Sequence, residues 1–154
     1  MIKKRHYLIF IIIFIITISS VSAIEIAKPD PNRHEFGEDF AIAFPANANF
    51  TKDNVDNNIT IYEDADDRIT IYYIDDRAIS DFTIDSFYQN FTSNGTFSIY
   101  FTGENLTVFR VNDSNIGNYG VATHYDCRVV IICGDDLNQL KEIANSVEFI
   151  EVIE

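Results

Sequence analysis

This sequence is short of the residues from which reactive centres are usually built. Among 154 residues there are two cysteines, three histidines, one methionine and no tryptophan. No HExxH, Gly-x-Ser-x-Gly, P-loop or CxxC pattern occurs, so the commonest metalloprotease, serine-hydrolase, nucleotide and thiol-redox signatures are missing. Basic residues are scarce as well: 11 Lys and Arg stand against 24 Asp and Glu, for a formal net charge of −13. A few dispersed cations displace few counterions from a phosphate backbone, and the acid excess repels nucleic acid and anionic lipid alike. Nucleic acid is therefore not an expected partner.

The one long apolar run lies at the N-terminus. Lys3, Lys4, Arg5 and His6 precede Leu8 to Ile18, which is apolar except at Thr17, and Val21-Ser22-Ala23 supplies a small-residue cleavage site. That is the pattern of an export signal, with cleavage expected after Ala23. Retention as a membrane anchor is the alternative. An anchor needs about 20 apolar residues, and the strongly apolar part here is nearer the roughly 10–14 of a signal core. Membrane contact is then confined to residues 7–23, and only if they are retained. Cleavage removes three basic residues and no acidic one, taking the net charge from −13 to −16. Six asparagines, Asn49, Asn58, Asn90, Asn94, Asn105 and Asn112, begin N-x-[ST] sequons, where chance gives roughly two. They are glycosylation candidates and agree with an extracellular or cell-surface location.

After the signal, residues 24–35 carry Pro29, Pro31, Asn32 and Arg33 without periodicity and read as a tether; residues 36–154 form one domain, long enough to bury a core unaided. Phe40, Ile42 and Phe44 alternate into a first strand that ends at Pro45. Asn58–Glu63 and Arg68–Ile74 form a hairpin in which Ile61 opposes Ile71, Asp64 faces Arg68, and Asp67 takes the left-handed position. A helix near 83–92 starts at Thr83 with Phe82 against Phe87 as a staple. Thr96–Phe101 and Leu106–Val111 make a second hairpin with Phe97, Ile99 and Phe101 on one face. Tyr119–Tyr125 leads through a turn at Asp126 into Arg128–Cys133. Val129 to Ile132 are apolar without alternation, which marks an interior strand covered on both faces. A helix over 136–147, capped near Asp136, presents Leu137, Leu140, Ile143, Ala144 and Val147 to the sheet. Phe149–Ile153 is a short edge strand.

Together these elements predict an α+β domain with a single antiparallel sheet of about six or seven strands and two helices. The order of an F-x-I-x-F-P strand (Phe40 to Pro45), hairpin, helix, further hairpins and a last helix ending Ala144-Asn145-Ser146-Val147-Glu148-Phe149 resembles the PsbP-like α/β sandwich. It is also similar to small uncharacterised secreted proteins of methanogenic archaea. The resemblance is one of pattern and carries no functional residue across.

Few residues remain that carry chemistry. Cys127 and Cys133, six residues apart on a strand, lie about 20 Å apart at roughly 3.3 Å per residue, well beyond the ~7 Å that a disulfide allows. They are expected to stay unpaired. His124, Asp126 and Cys127 suggest an imidazole-activated thiol, but contact between His124 and Cys127 needs a turn at Asp126. Asp64, Asp66 and Asp67 gather at one end of the first hairpin; Asp53, Asp56, Asp75 and Asp76 gather at the other and are the candidate ligands for Ca²⁺, the only cofactor considered. No residue is assigned a catalytic or organic-cofactor role. The expected function is a noncatalytic binding or structural module whose partner is a protein or glycan at the cell surface. The alternative is an extracellular hydrolase using His124 with Cys127 or a carboxylate pair.

Overall fold

The computed structural model describes residues 30–54, 58–64, 66 and 68–151. Pro31–Glu154 form a compact unit of their own, distinct from Met1–Asp30. Its elements in chain order are β1 (Arg33–Phe36), β2 (Phe40–Ala43), β3 (Thr51–Asn54), β4 (Ile59–Asp64), β5 (Ile69–Asp75), α1 (Ile84–Phe91), β6 (Phe97–Thr102), β7 (Thr107–Val111), β8 (Tyr119–Tyr125), β9 (Arg128–Gly134), α2 (Leu137–Asn145) and β10 (Glu148–Phe149).

Strand β9 is buried along its whole length because it sits mid-way in a seven-stranded antiparallel sheet, ordered β3-β4-β5-β9-β8-β7-β6, with both faces covered. Its side chains alternate between two cores. Val130 and Ile132 pack with Ile71, Tyr73, Val121 and Leu140 of α2, whereas Val129, Ile131 and Cys133 pack with Phe109 and the rings of α1. The unbroken apolar run is therefore two alternating patterns superimposed. On the α1 side, β8 contributes only Gly120 and Ala122, and this shallow floor leaves room for Tyr88 and Phe91 to reach Phe109.

Both helices begin where expected. The Thr83 hydroxyl accepts from the Ser86 N–H at 3.2 Å, and the Asp136 carboxylate accepts from Asn138 and Gln139 at 2.9 and 3.2 Å. Each cap satisfies donors that the helix itself cannot. In α2, Leu140, Ile143 and Ala144 are buried and Leu137 partly so; the helix ends at Asn145, short of the expected 147, and Val147 packs on the same core from beyond its cap at Ser146. Gly117 has φ +104, and a Cβ there would lie 2.4 Å from the backbone of Gly134, so the loop before β8 closes onto the end of β9 only with glycine.

The sheet is not single. β2 pairs with β1 on one side and β10 on the other, forming a separate three-stranded sheet. Residues 33–35, read from the sequence as the end of the tether, are thus part of a strand with Phe36. Arg, His and Glu hide its character, and the short connection from Phe36 to Phe40 makes local pairing entropically cheap. This small sheet lays Phe36, Phe40, Ile42 and Phe44 over Tyr62, Ile69, Ile71 and Tyr73. Arg128, buried at the start of β9, fastens it by donating to the Ile150 carbonyl at 2.9 Å while lying near the Tyr125 and Phe149 rings.

Two registers also differ from expectation. In the first hairpin Ile61 pairs with Tyr72 and Tyr62 with Ile71, one residue away from the expected alignment, so Asp64 opposes Ile69 rather than Arg68. Matching isoleucines to a common face assumed one wet face; with both faces covered, Tyr62 and Asp64 turn inward to the small sheet's side instead. Arg68 holds the left-handed position in the connection, φ 53, and Asp67 lies outside the described residues. In the second hairpin the register shifts between Ile99 and Phe101, so Ile99 keeps the face of Phe97 and Phe101 leaves it, where all three were expected on one face. The tail forms only Glu148–Phe149 as strand, and residues 152–154 lie outside the described residues.

Candidate functional site

β6 is one edge of the large sheet, and its composition sets it apart. Ser86 to Gly103 contain no charged residue, in a chain with 24 acidic ones. Among the described residues, the exposed large apolar side chains are Ile79, Ile99, Tyr100, Phe101 and Tyr125; three of them are consecutive on β6, at 50%, 59% and 57% exposure. The strand is nevertheless anchored. Phe97 is 5% exposed and meets Phe91 at a ring separation of 4.4 Å and Phe109 at 6.2 Å.

The register shift spreads the apolar side chains around the edge. Ile99 pairs with Phe109 and Phe101 with Val108, which leaves Tyr100 as an inserted residue in a β-bulge. Phe109 belongs to the core under α1 and Val108 to the core on the opposite face, and paired residues point the same way. Ile99 and Phe101 therefore emerge on opposite sides of the sheet. Tyr100 lies under the Arg110 guanidinium at 4.8 Å, which in turn lies 4.8 Å from the Tyr119 ring. Helix α2 packs on β8 and β9, so it stops short of this exposed Tyr100 and Arg110 pair.

Two clefts flank the sheet. One of about 520 Å3 lies between the tip of the first hairpin and the loop before β8, lined by Glu63, Asp64, Asp66, Asp135 and Arg68 among others. Here the acidic cluster is put to structural use: the buried Asp64 carboxylate accepts from the Asp66 N–H at 3.0 Å and the Asn49 N–H at 3.3 Å. A smaller cleft of about 340 Å3 lies between α1 and the turn after β6, lined by Asp85, Tyr88, Ile99, Glu104 and His124.

His124 and Cys127 are not joined. The turn at Asp126 exists, with Asp126 at φ 53, but His124 faces the smaller cleft while the Cys127 thiol donates to the Asp126 carboxylate at 3.6 Å. Desolvation, then the Asp126 carboxylate, push the Cys127 thiol up, opposite to the shift that activates a thiolate. Cys133 is fully buried and pushed up by burial alone; both thiols are free.

The four aspartates named for Ca²⁺ are spread out. Asp53 is exposed on edge strand β3 opposite Ile61, about 10 Å along the sheet from the row of Asp75 at ~3.3 Å per residue. Asp75 forms an ion pair with Arg77, whose guanidinium hydrogen bonds hold its carboxyl below the usual range. The Asp76 carboxylate accepts from the Asn58 amide at 2.6 Å, and its N–H donates to the Cys127 carbonyl at 2.9 Å. Asp56 lies outside the described residues, and its expected place opposite Asp76 rested on the register that the structure shifts. Among the described residues no three potential ligands converge.

Of the six sequon asparagines, Asn49, Asn90, Asn94, Asn105 and Asn112 are exposed and Asn58 is half-buried. The amide of Asn58 is engaged with Asp76, and that of Asn112 donates to the Gly95 carbonyl at 2.8 Å. Among the described residues no helix is long and apolar enough to cross a membrane. No family model matches the chain, and no curated protein or solved structure is significantly similar to it. The β6 edge escaped the sequence reading because alternation placed Ile99 and Phe101 on one face with Phe97; the uncharged run from Ser86 to Gly103 was the signal that could have marked it.

Proposed function

We propose that this protein is an exported or membrane-tethered cell-surface module that binds a macromolecular partner along β6 and catalyses no reaction. The observation that carries this reading is the consecutive exposure of Ile99, Tyr100 and Phe101 on an uncharged edge strand. Natural sheet edges are blunted by charge, proline or a covering element, and contiguous apolar exposure marks a contact surface. Export is supported by the basic, apolar and small-residue order of residues 3–23 and by the excess of sequons. Glycans belong at Asn49, Asn90, Asn94 and Asn105, whose amides are not committed in the way those of Asn58 and Asn112 are.

The test uses intact cells. A membrane-impermeant amine reagent should label Lys52 and Lys141 before lysis, and labelling only after lysis would refute export. A photo-crosslinking residue at position 101 of the full chain should give adducts in the native envelope, whereas one at position 52 should not. Equal, background-level yields at both positions would remove β6 as the binding edge.

A further inference from the structure

We infer, resting on the reading of this chain as exported and glycosylated, that the cleft between α1 and the turn after β6 is a carbohydrate site filled by the chain's own glycan on Asn105. The cleft, about 340 Å3, is at the small end of the ~300–1,000 Å3 range of small-molecule sites. It therefore seats the attached end of the glycan and leaves the remainder in solvent.

The lining fits sugar chemistry. Asp85 and Gln89, one helical turn apart on α1, share the cleft with Glu104 of the turn and His124 of β8. Carboxylates, an amide and an imidazole supply the acceptors and donors that match sugar hydroxyls. Ile84, Ile99 and Leu106 add apolar wall, and Ile99, 50% exposed, offers its surface to the C–H face of a sugar ring. A metal ion fits less well, because among the described residues no three potential ligands converge. Two carboxylates in a chain at −13 disfavour an acidic sugar, which leaves a neutral one.

Attachment selects the occupant. Asn105 is part of the cleft wall and is exposed, so a sugar joined to its amide starts inside the site. The tether supplies the effective concentration that a weak sugar contact otherwise lacks. Asn49 also lines a cleft, the larger one, but the single aliphatic side chain among the residues lining it, Ile69, is 2% exposed and gives a sugar ring no apolar wall.

In the modification, the Asn105 amide nitrogen attacks C1 of a lipid-phosphate-linked oligosaccharide. The C1–N bond forms, the C1–O bond to phosphate breaks with its electron pair, and one amide proton leaves to solvent. The sequon hydroxyl on Thr107 is buried in the folded domain and hydrogen-bonded to the Tyr88 side chain, so transfer precedes closure of the hairpin onto α1. With the sugar over Ile99, Phe101 stays open to a partner, because the register shift turns it to the other side of the sheet.

The experiment uses full-length chain purified from the native envelope, with occupancy read by peptide mass and carboxylate access by carbodiimide labelling of the folded protein. Asn105 should be occupied, and Asp85 should label at least about fivefold more slowly than in Asn105→Gln. Exposed Glu38, in the turn between β1 and β2, should label equally in both, and any glycan at Asn90 is common to both. If Asn105→Gln fails to fold, the same ratio is read on the folded parent before and after glycosidase treatment. Unchanged Asp85 labelling with Asn105 occupied would put the sugar outside the cleft and overturn the site. An unoccupied Asn105 on a chain whose Lys52 labels in intact cells would overturn it while leaving export standing. Glycan released from the chain and added back at about 1 mM separates the two sources of sugar. Protection of Asp85 by the added glycan, with none by the attached one, would make the cleft a site for an outside carbohydrate and overturn occupancy by the chain's own.

Discussion

The two edges of the seven-stranded sheet solve the same problem in different ways. β3 carries Lys52 and Asp53, its described side chains are all exposed, and Lys52 merely lies over the Tyr62 ring at 5.8 Å. β6 carries no charge, drives Phe97 into the core under α1, and turns Ile99, Tyr100 and Phe101 outward. An edge that is charged and exposed is protected against strand addition; an edge that is apolar outside and bolted inside presents a firmly held apolar surface. The difference teaches that exposure of β6 is no sign of a poorly packed periphery. Its inner face belongs to the second of the two cores.

The sharpest way to break this comparison is to truncate the bolt. Phe97→Ala should cost about 3–5 kcal/mol, while Lys52→Ala should stay within about 0.5 kcal/mol. Urea unfolding of both variants decides it, and equal costs would mean that β6 is no better anchored than β3.

Alkaline titration probes the same anchor from below. Tyr72 meets Phe97 at a ring separation of 6.1 Å, and burial pushes its phenol from 10.0 to about 12. The fold favours the neutral phenol, so its contribution is fully present below pH 10 and is lost as pH rises towards 12. Because the ring is partly solvated, the loss should stay under about 2 kcal/mol. Stability measured at pH 9 and pH 12 should fall less in Tyr72→Phe than in the parent. The Tyr62 phenol near β3 is also raised by burial, so Tyr62→Phe tests whether the two sides share the alkaline loss.

Helix α1 covers the inner face of β6, so its cap should matter at that edge. Thr83→Ala removes the acceptor for the Ser86 N–H and should cost about 1 kcal/mol. Hydrogen exchange should then quicken in α1 and β6 before it does in β3; a uniform change would disconnect the helix from that edge. The smallest effect is expected outside. Tyr100→Leu loses the stacking under Arg110 and should cost about 0.5–1 kcal/mol at this exposed site. A cost as large as that of Phe97→Ala would place Tyr100 in the core and undo the division between the two sides of the strand.

Local chemistry already legible in the sequence determined much of this protein. Thr83 and Asp136 cap helices because a short oxygen-bearing side chain before an apolar stripe has donors to satisfy, and Val129 to Ile132 announce an interior strand because no wet face interrupts them. The separation of Cys127 from Cys133 follows from strand geometry in the same way. What only the tertiary structure decided is which face each remaining residue serves. Covering the sheet on both sides removed the alternation rule that would have set the register of Tyr62 and Ile71, and a single inserted residue at Tyr100 sent Ile99 and Phe101 to opposite faces. Arg33–Phe36 became a strand because Phe40 lay close enough to pair with it, and His124 stayed apart from Cys127 despite the turn at Asp126 because it faces the cleft beside α1. These outcomes depend on neighbours distant in sequence, and no local pattern of residues contains them.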